Sequence, residues 1–233
     1  MLNMIHQTEG KIKIFGLDSI KDTQKIKEKT SYIPSETALY ENITVKKLLK
    51  FSSSFTKIST EEMDNLLKYF EIDSDKKINE LSLGNRKKIS IIQALLKKPE
   101  LIILDEPTSG LDPLMQKKFF ELMLKEKEKG TTIFLSSHNL SEIEKYCDKV
   151  AIIKDGILED FLDIKDIKIN RKQVVIYKEK GKEVKTLEID GNINKIVLML
   201  SKLDLEILEI KNKTVEEELV EYYRKGELYE KYN

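Results

Sequence analysis

The run Leu101-Ile-Ile-Leu-Asp-Glu-Pro-Thr-Ser-Gly-Leu-Asp112 decides the fold. Its first four residues are continuously apolar, too few for a helix and suited to a strand buried on both faces. Two adjacent carboxylates, Asp105 and Glu106, end it. Ligands in open α/β sheets sit at the carboxyl ends of strands. In phosphoryl-transfer sites of that kind one carboxylate holds Mg²⁺ and a neighbour orients water. Taken alone, the pair reads equally well as a cap on the next loop, so the flanking sequence must decide.

Downstream, Pro113 opens a helix that runs to about Lys129, with Gly130 as its C-terminal cap. A second buried strand is expected over 131–135, a short helix over 139–146 and a third strand over 149–153, turned by Asp155-Gly156. Strand, helix, strand, helix, strand predicts parallel pairing. Upstream, residues 44–98 carry helical periodicity with no strand signal: Val45, Leu48, Leu49 and Phe55 form one apolar face, and Met63, Leu66, Leu67 and Phe70 another. Residues 11–15 alternate as a strand ended by Gly16, and 30–33 form a short strand stopped by Pro34. Residues 1–5 read as the tail of a helix. Beyond 160 the character shifts to two alternating strands within 164–190, a helix over 193–203, a strand over 205–210 and a helix over 215–223. The expectation is an α/β domain over 1–160, with an all-helical subdomain at about 44–98, and a small α+β appendage over 161–233.

Composition narrows the class. The 233 residues hold 41 basic and 41 acidic side chains, a net charge of zero, with 35% charged residues mixed in sign. That excludes an acidic or disordered chain and argues against a nucleic-acid partner, which requires a basic excess. No apolar run reaches the ~18 residues of a transmembrane helix, and the N-terminus lacks the features of a signal peptide. The single cysteine, Cys147, permits no intrachain disulfide and suits a reducing, cytoplasmic setting.

Read together, these motifs resemble a known family. Leu104-Asp-Glu-Pro-Thr-Ser-Gly-Leu-Asp112 looks like the Walker B and D-loop of ABC-type ATPases, and Leu81-Ser-Leu-Gly-Asn-Arg86 resembles their signature, usually LSGGQ. Ser82 lies 23 residues before Asp105, the intervening helix carries Ile89, Ile92, Leu95 and Leu96, and it stops at Pro99, as the family helix does. His138 follows the 131–135 strand, where the family has its switch histidine. The likeness runs over 1–160 and is greatest for the ATPase subunits of bacterial ABC-2 type exporters, in which a C-terminal appendage is common. The fold implied is a P-loop NTPase-like α/β fold with a parallel sheet and a helical subdomain.

The resemblance also implies roles. Asp105 would hold Mg²⁺ through water, and Glu106 would be the general base. His138 would contact the γ-phosphate of ATP, and Asp112 would sit at a dimer seam. Ser82 and Gly84 would face the ATP of a second ATPase subunit in a head-to-tail dimer. Ser82-Leu-Gly-Asn opens a helix, whose N-terminus favours anions, and Ser82 is at the same time an ordinary N-cap. The implied partner is a transmembrane permease subunit, and the implied location is peripheral, at the inner face of the membrane. The chain departs from the family at two motifs. The Q-loop place after Tyr32-Ile-Pro34 holds Ser35, then Glu36, instead of glutamine, and the signature holds Leu83 and Asn85 for its usual glycine and glutamine.

A larger departure is an absence. The phosphate-binding pattern G-x-x-x-x-G-K-[ST] occurs nowhere in the 233 residues; the two Gly-Lys pairs, Gly10-Lys11 and Gly181-Lys182, lack both the earlier glycine and the following hydroxyl. In the family that Walker A motif precedes the helix whose tail 1–5 resembles, so the chain is expected to begin within the domain. Four charge-assisted hydrogen bonds at about 1.5–3 kcal/mol each come to roughly 6–12 kcal/mol, against about −8 kcal/mol for all of a micromolar affinity. The chain alone is therefore expected neither to bind nor to hydrolyse ATP, and its central strands to be partly uncovered. An alternative from another class is a non-catalytic interaction subunit that lends Ser82 and Gly84 to a full-length partner. A chromosome or DNA-repair ABC ATPase would carry long coiled coils, and a translation-factor type two tandem domains; this chain has neither.

Overall fold

The computed structural model describes residues 2–5, 7–54, 59–169, 172–179, 183–189, 193–203, 205–215 and 217–220. Phe55, residues 180–182 between the two strands expected within 164–190, and the end of the helix expected over 215–223 lie outside them. The chain forms two compact units, Met1–His138 and Asn139–Asn233.

The first unit opens with bends at residues 3–5 in place of a helical tail. A tight hairpin follows, β1 (Lys13–Ile14) with β2 (Leu17–Asp18). Its two turn residues, Phe15 and Gly16, both have positive φ, 56° and 76°, as a two-residue hairpin matching the strand twist requires. Helix α1 (Thr23–Lys29) leads into β3 (Thr30–Ile33). The helical stretch comprises α2 (Val45–Ser53), α3 (Thr60–Phe70), a 3-10 turn at Ile78–Glu80 and α4 (Leu83–Leu96). Local chemistry sets these boundaries: Thr44 caps α2 through the Lys47 amide, and Ser59 and Glu62 cap α3 reciprocally. Glu71, at φ 57°, ends α3 in the left-handed region.

Strand β4 (Leu101–Asp105), helix α5 (Pro113–Glu128) and strand β5 (Thr132–Ser136) complete the unit. The sheet runs β3-β4-β5, all parallel, with Ile33 opposite Leu104 and Asp105 opposite Ser136. Leu101 and Ile103 pack with Ile14 and Ile26 on one face. Ile102 and Leu104, pointing the other way by alternation, are fully buried. Each such side chain contributes about 1.5–3 kcal/mol, so the apolar run that predicts β4 also anchors the sheet.

Strand β5 differs from expectation. The sequence predicts a buried strand, yet β5 alternates between exposed and half-buried, and Phe134 is 48% exposed. The cause is topological: among the described residues β5 pairs on one edge only.

The second unit holds α6 (Leu140–Tyr146), β6 (Lys149–Lys154), β7 (Ile157–Asp163), α7 (Ile164–Ile169), β8 (Gln173–Glu179), β9 (Val184–Ile189), α8 (Ile193–Leu200) and β10 (Leu205–Asn212). The third parallel strand expected over 149–153 is instead antiparallel to β7. Asp155 and Gly156, at φ 48° and 80°, form a two-residue hairpin turn that returns the chain along the same strand. Helix α7 stands where the alternation over 164–190 predicts only strands. Strands β8, β9 and β10 form an antiparallel sheet in the order β10-β8-β9, and Ile196 and Leu200 of α8 pack on Val175. No described helix is long and apolar enough to cross a membrane.

Candidate active site

The site lies at the carboxyl ends of β4 and β5. Parallel register sets Asp105 beside Ser136, and the Ser136 hydroxyl donates to Asp105 Oδ1 at 2.7 Å. Tyr32, on the neighbouring strand, lies near enough for the charge of Asp105 to act on its hydroxyl; burial first, then that charge, push its pKa upward. The Ser136 hydroxyl thus orients the carboxylate from the β5 side.

Glu106 leaves the strand with φ 44°, a left-handed conformation that costs a non-glycine residue about 1–3 kcal/mol and persists only where neighbours enforce it. Its N–H donates to the Ser136 carbonyl (3.2 Å), and its own carbonyl accepts from the Ser109 amide (3.2 Å). The turn aims the side chain at β5. Glu106 Oε1 accepts from the His138 backbone N–H at 3.1 Å and lies 2.9 Å from His138 Nδ1. A carboxylate only accepts, so Nδ1 carries the hydrogen. The imidazole is 86% exposed against 29% for the Glu106 side chain. Such a carboxylate can take a proton from water, and the histidine fixes where it points.

Below this pair lies Lys87 of α4, only 3% exposed. Its ammonium donates to the carbonyls of Pro34 (2.6 Å), Ser35 (2.9 Å) and Glu106 (3.4 Å). Burial pulls its pKa below the ordinary lysine value, and the charges of Asp105 and Glu106 act against that fall. Ser35 therefore enters the site through its carbonyl; its residue is exposed.

Ser82 and Asp112 stand at helix starts. Ser82 caps α4 by accepting from the Asn85 amide at 3.3 Å. Asp112 caps α5 by accepting from Leu114 and Met115, both at 3.1 Å. Gly84 links the two regions: a β-carbon there would lie 3.0 Å from the Gly110 carbonyl oxygen, so any larger residue requires the loop leading to Asp112 to give by a few tenths of an ångström. The structure thus joins Glu106 and His138 directly, sets Asp105 next in the chain to Glu106 and bonded to Ser136, brings in Ser35 through Lys87, and engages Ser82 and Asp112 each with its own helix.

Sequence reasoning missed three contributors: Lys87, Ser136 and, as more than a motif marker, Tyr32. Lys87 left one signal, since it shares a helical face with Ile91 and Ala94, both buried. For Mg²⁺, Asp105 is a fitting single carboxylate ligand, because Mg²⁺ takes one or two carboxylates plus waters and phosphates. No cluster of three or more His, Cys, Asp or Glu able to hold a metal occurs among the described residues. For ATP, the exposed hydroxyl and helix start at Ser82 fit a phosphate end.

A parallel sheet whose central strand ends in paired carboxylates, with a helical subdomain inserted before it, defines a P-loop NTPase-like fold of the ABC ATPase type. Comparison with known proteins agrees. The ABC transporter family model matches residues 1–109. The chain is 32% identical over 174 residues to the ABC transporter ATP-binding protein YtrB of Bacillus subtilis, covering 72% of this chain and 59% of that one. It is 31% identical over 214 residues to the bacitracin transport ATP-binding protein BcrA of Bacillus licheniformis, covering 90% and 67%. A solved structure described as the ATP binding subunit of an ABC transporter superposes with a TM-score of 0.66 at 30% identity, covering 72% of each chain. The protein belongs to the ABC transporter ATP-binding family. It spans about three fifths to two thirds of the length of these curated relatives.

Proposed function

We propose that this chain is an ATP-hydrolysing subunit that powers an ABC-type membrane exporter. It works at the cytoplasmic face against a transmembrane permease subunit and pairs head-to-tail with a second ATPase subunit. The observation that carries the reading is the Glu106–His138 contact at the end of β4, beside Asp105. Asp105, held by Ser136, would hold Mg²⁺ through water. Glu106 accepts the proton of the attacking water, and His138 keeps the carboxylate aimed and contacts the γ-phosphate. Ser82 and Gly84 present a hydroxyl and helix-terminal N–H groups to the nucleotide of the opposing subunit, with Asp112 at the seam. Bound MgATP supplies the scissile phosphoanhydride and the cation that offsets its charge.

A second reading is an interaction subunit that lends Ser82, the N-cap of α4, and Gly84 to a full-length partner. Both readings predict that the chain alone does not bind MgATP measurably. Titration calorimetry checks this; saturable binding tighter than about 100 μM contradicts it. Mixing the chain with an intact ATPase subunit then separates the readings. Stimulated hydrolysis abolished by Ser82→Arg and indifferent to Glu106→Gln supports the interaction subunit, whereas sensitivity to Glu106→Gln supports hydrolysis by this chain.

A further inference from the structure

We propose that Lys87 is a positioning residue for Glu106, a three-pronged clamp that ties the Pro34–Ser35 segment and the Glu106 backbone to the helix beginning at the signature Ser82. The inference rests on the ATPase reading above for its kinetic consequence, but its geometry stands apart from it.

Lys87 is buried, and its three acceptors come from two remote segments: Pro34 and Ser35, at 2.6 and 2.9 Å, and Glu106, at 3.4 Å. Three acceptors use all three N–H groups of an ammonium, so the arrangement requires the protonated side chain. A buried ammonium persists only where it is paired and hydrogen-bonded. Here three carbonyls satisfy it, and the Asp105 and Glu106 charges lie close enough to act on it. Among the described residues no backbone hydrogen bond outside the regular elements joins Pro34 or Ser35 to the loop after β4, so Lys87 makes the connection.

What it holds is the strained residue of the site. Glu106, at φ 44°, must be fixed from several sides to stay left-handed, and Lys87 supplies one of the two donors to its carbonyl. Lys87 stands in the second turn of α4, whose N-cap is Ser82. A displacement of that helix therefore moves the Pro34–Ser35 segment and the Glu106 carbonyl together. The side chain links the signature end of the helix to the aim of the carboxylate.

The test uses the full chain with Lys87→Met, which keeps the length of the apolar stem and removes the donors. In hydrogen–deuterium exchange, the amides of 35–37 and of 106 and 108–110 should exchange about tenfold faster, as for a local opening, while those of Phe119–Met123 in α5 stay unchanged. Lys87→Gln, with two N–H donors, should restore part of the protection, and it carries the comparison should K87M not fold. In the assembled transporter complex K87M should lower kcat about tenfold or more with KM within about twofold, and K87Q should recover part of kcat. Unchanged exchange in both segments, a uniform rise across residues 2–138, or a raised KM with unaltered kcat would overturn the clamp. A wild-type complex that hydrolyses no ATP would remove the ATPase reading, and the exchange comparison would still decide the clamp.

Discussion

At Gly84 the fit is a matter of tenths of an ångström. A β-carbon there would stand 3.0 Å from the Gly110 carbonyl oxygen, inside normal contact distance. The glycine that the family resemblance assigns to phosphate approach thus also stands at a tight approach within this chain. Gly84→Ala should lower stability by about 1–3 kcal/mol, the usual cost of overpacking, in a urea titration followed by circular dichroism. An unchanged midpoint would mean that the Gly110 loop yields freely. Residue identity made Asp105, Glu106, His138, Ser82 and Asp112 visible in the sequence because they stand in tightly spaced motifs. It hid Lys87. A lysine beside Arg86 and Lys88 reads as surface, and the carbonyls that hold it lie 52 and 53 residues earlier and 19 later, where no local pattern points. Tyr32 and Ser136 were hidden for the same reason: only the β3-β4-β5 register sets them beside Asp105.

Elements with unambiguous periodicity were legible. The run Leu101–Leu104 gave β4, Pro113 and Gly130 gave α5 nearly to the residue, and the apolar faces within 44–98 gave helices there without their ends. Strand type proved harder than strand existence. Residues 149–153 do form a strand, but the Asp155-Gly156 turn folds it into a hairpin rather than a parallel crossover; the local turn outweighed the βαβ rhythm. Residues 132–136 form the expected parallel strand, and their partial exposure follows from pairing on one side. An edge with a half-exposed Phe134 is a template for association with other chains. The isolated chain is therefore expected to self-associate at micromolar concentration. Phe134→Lys should shift it toward monomer in sedimentation velocity, since an edge lysine opposes pairing. Wild-type chain that stays monomeric would contradict this.

At the scale of the whole molecule, family and fold class were both readable from the motifs and agree with the relatives at 31–32% identity. The contents of the second unit were less so, because short alternating segments such as 164–169 fit strand and helix equally. The account turns on one chemical assignment, that the carboxylate of Glu106, held by His138 and backed by Lys87, removes the proton from water. The most direct test is ATP hydrolysis by the membrane transporter complex purified through a tag on this protein, comparing wild type with Glu106→Gln, which keeps the size and hydrogen-bonding reach of the side chain and loses its basicity. The account predicts a fall in kcat of about 100-fold or more, the range for removing a general base, with nucleotide still retained by the complex. Hydrolysis by the E106Q complex at the wild-type rate would contradict it.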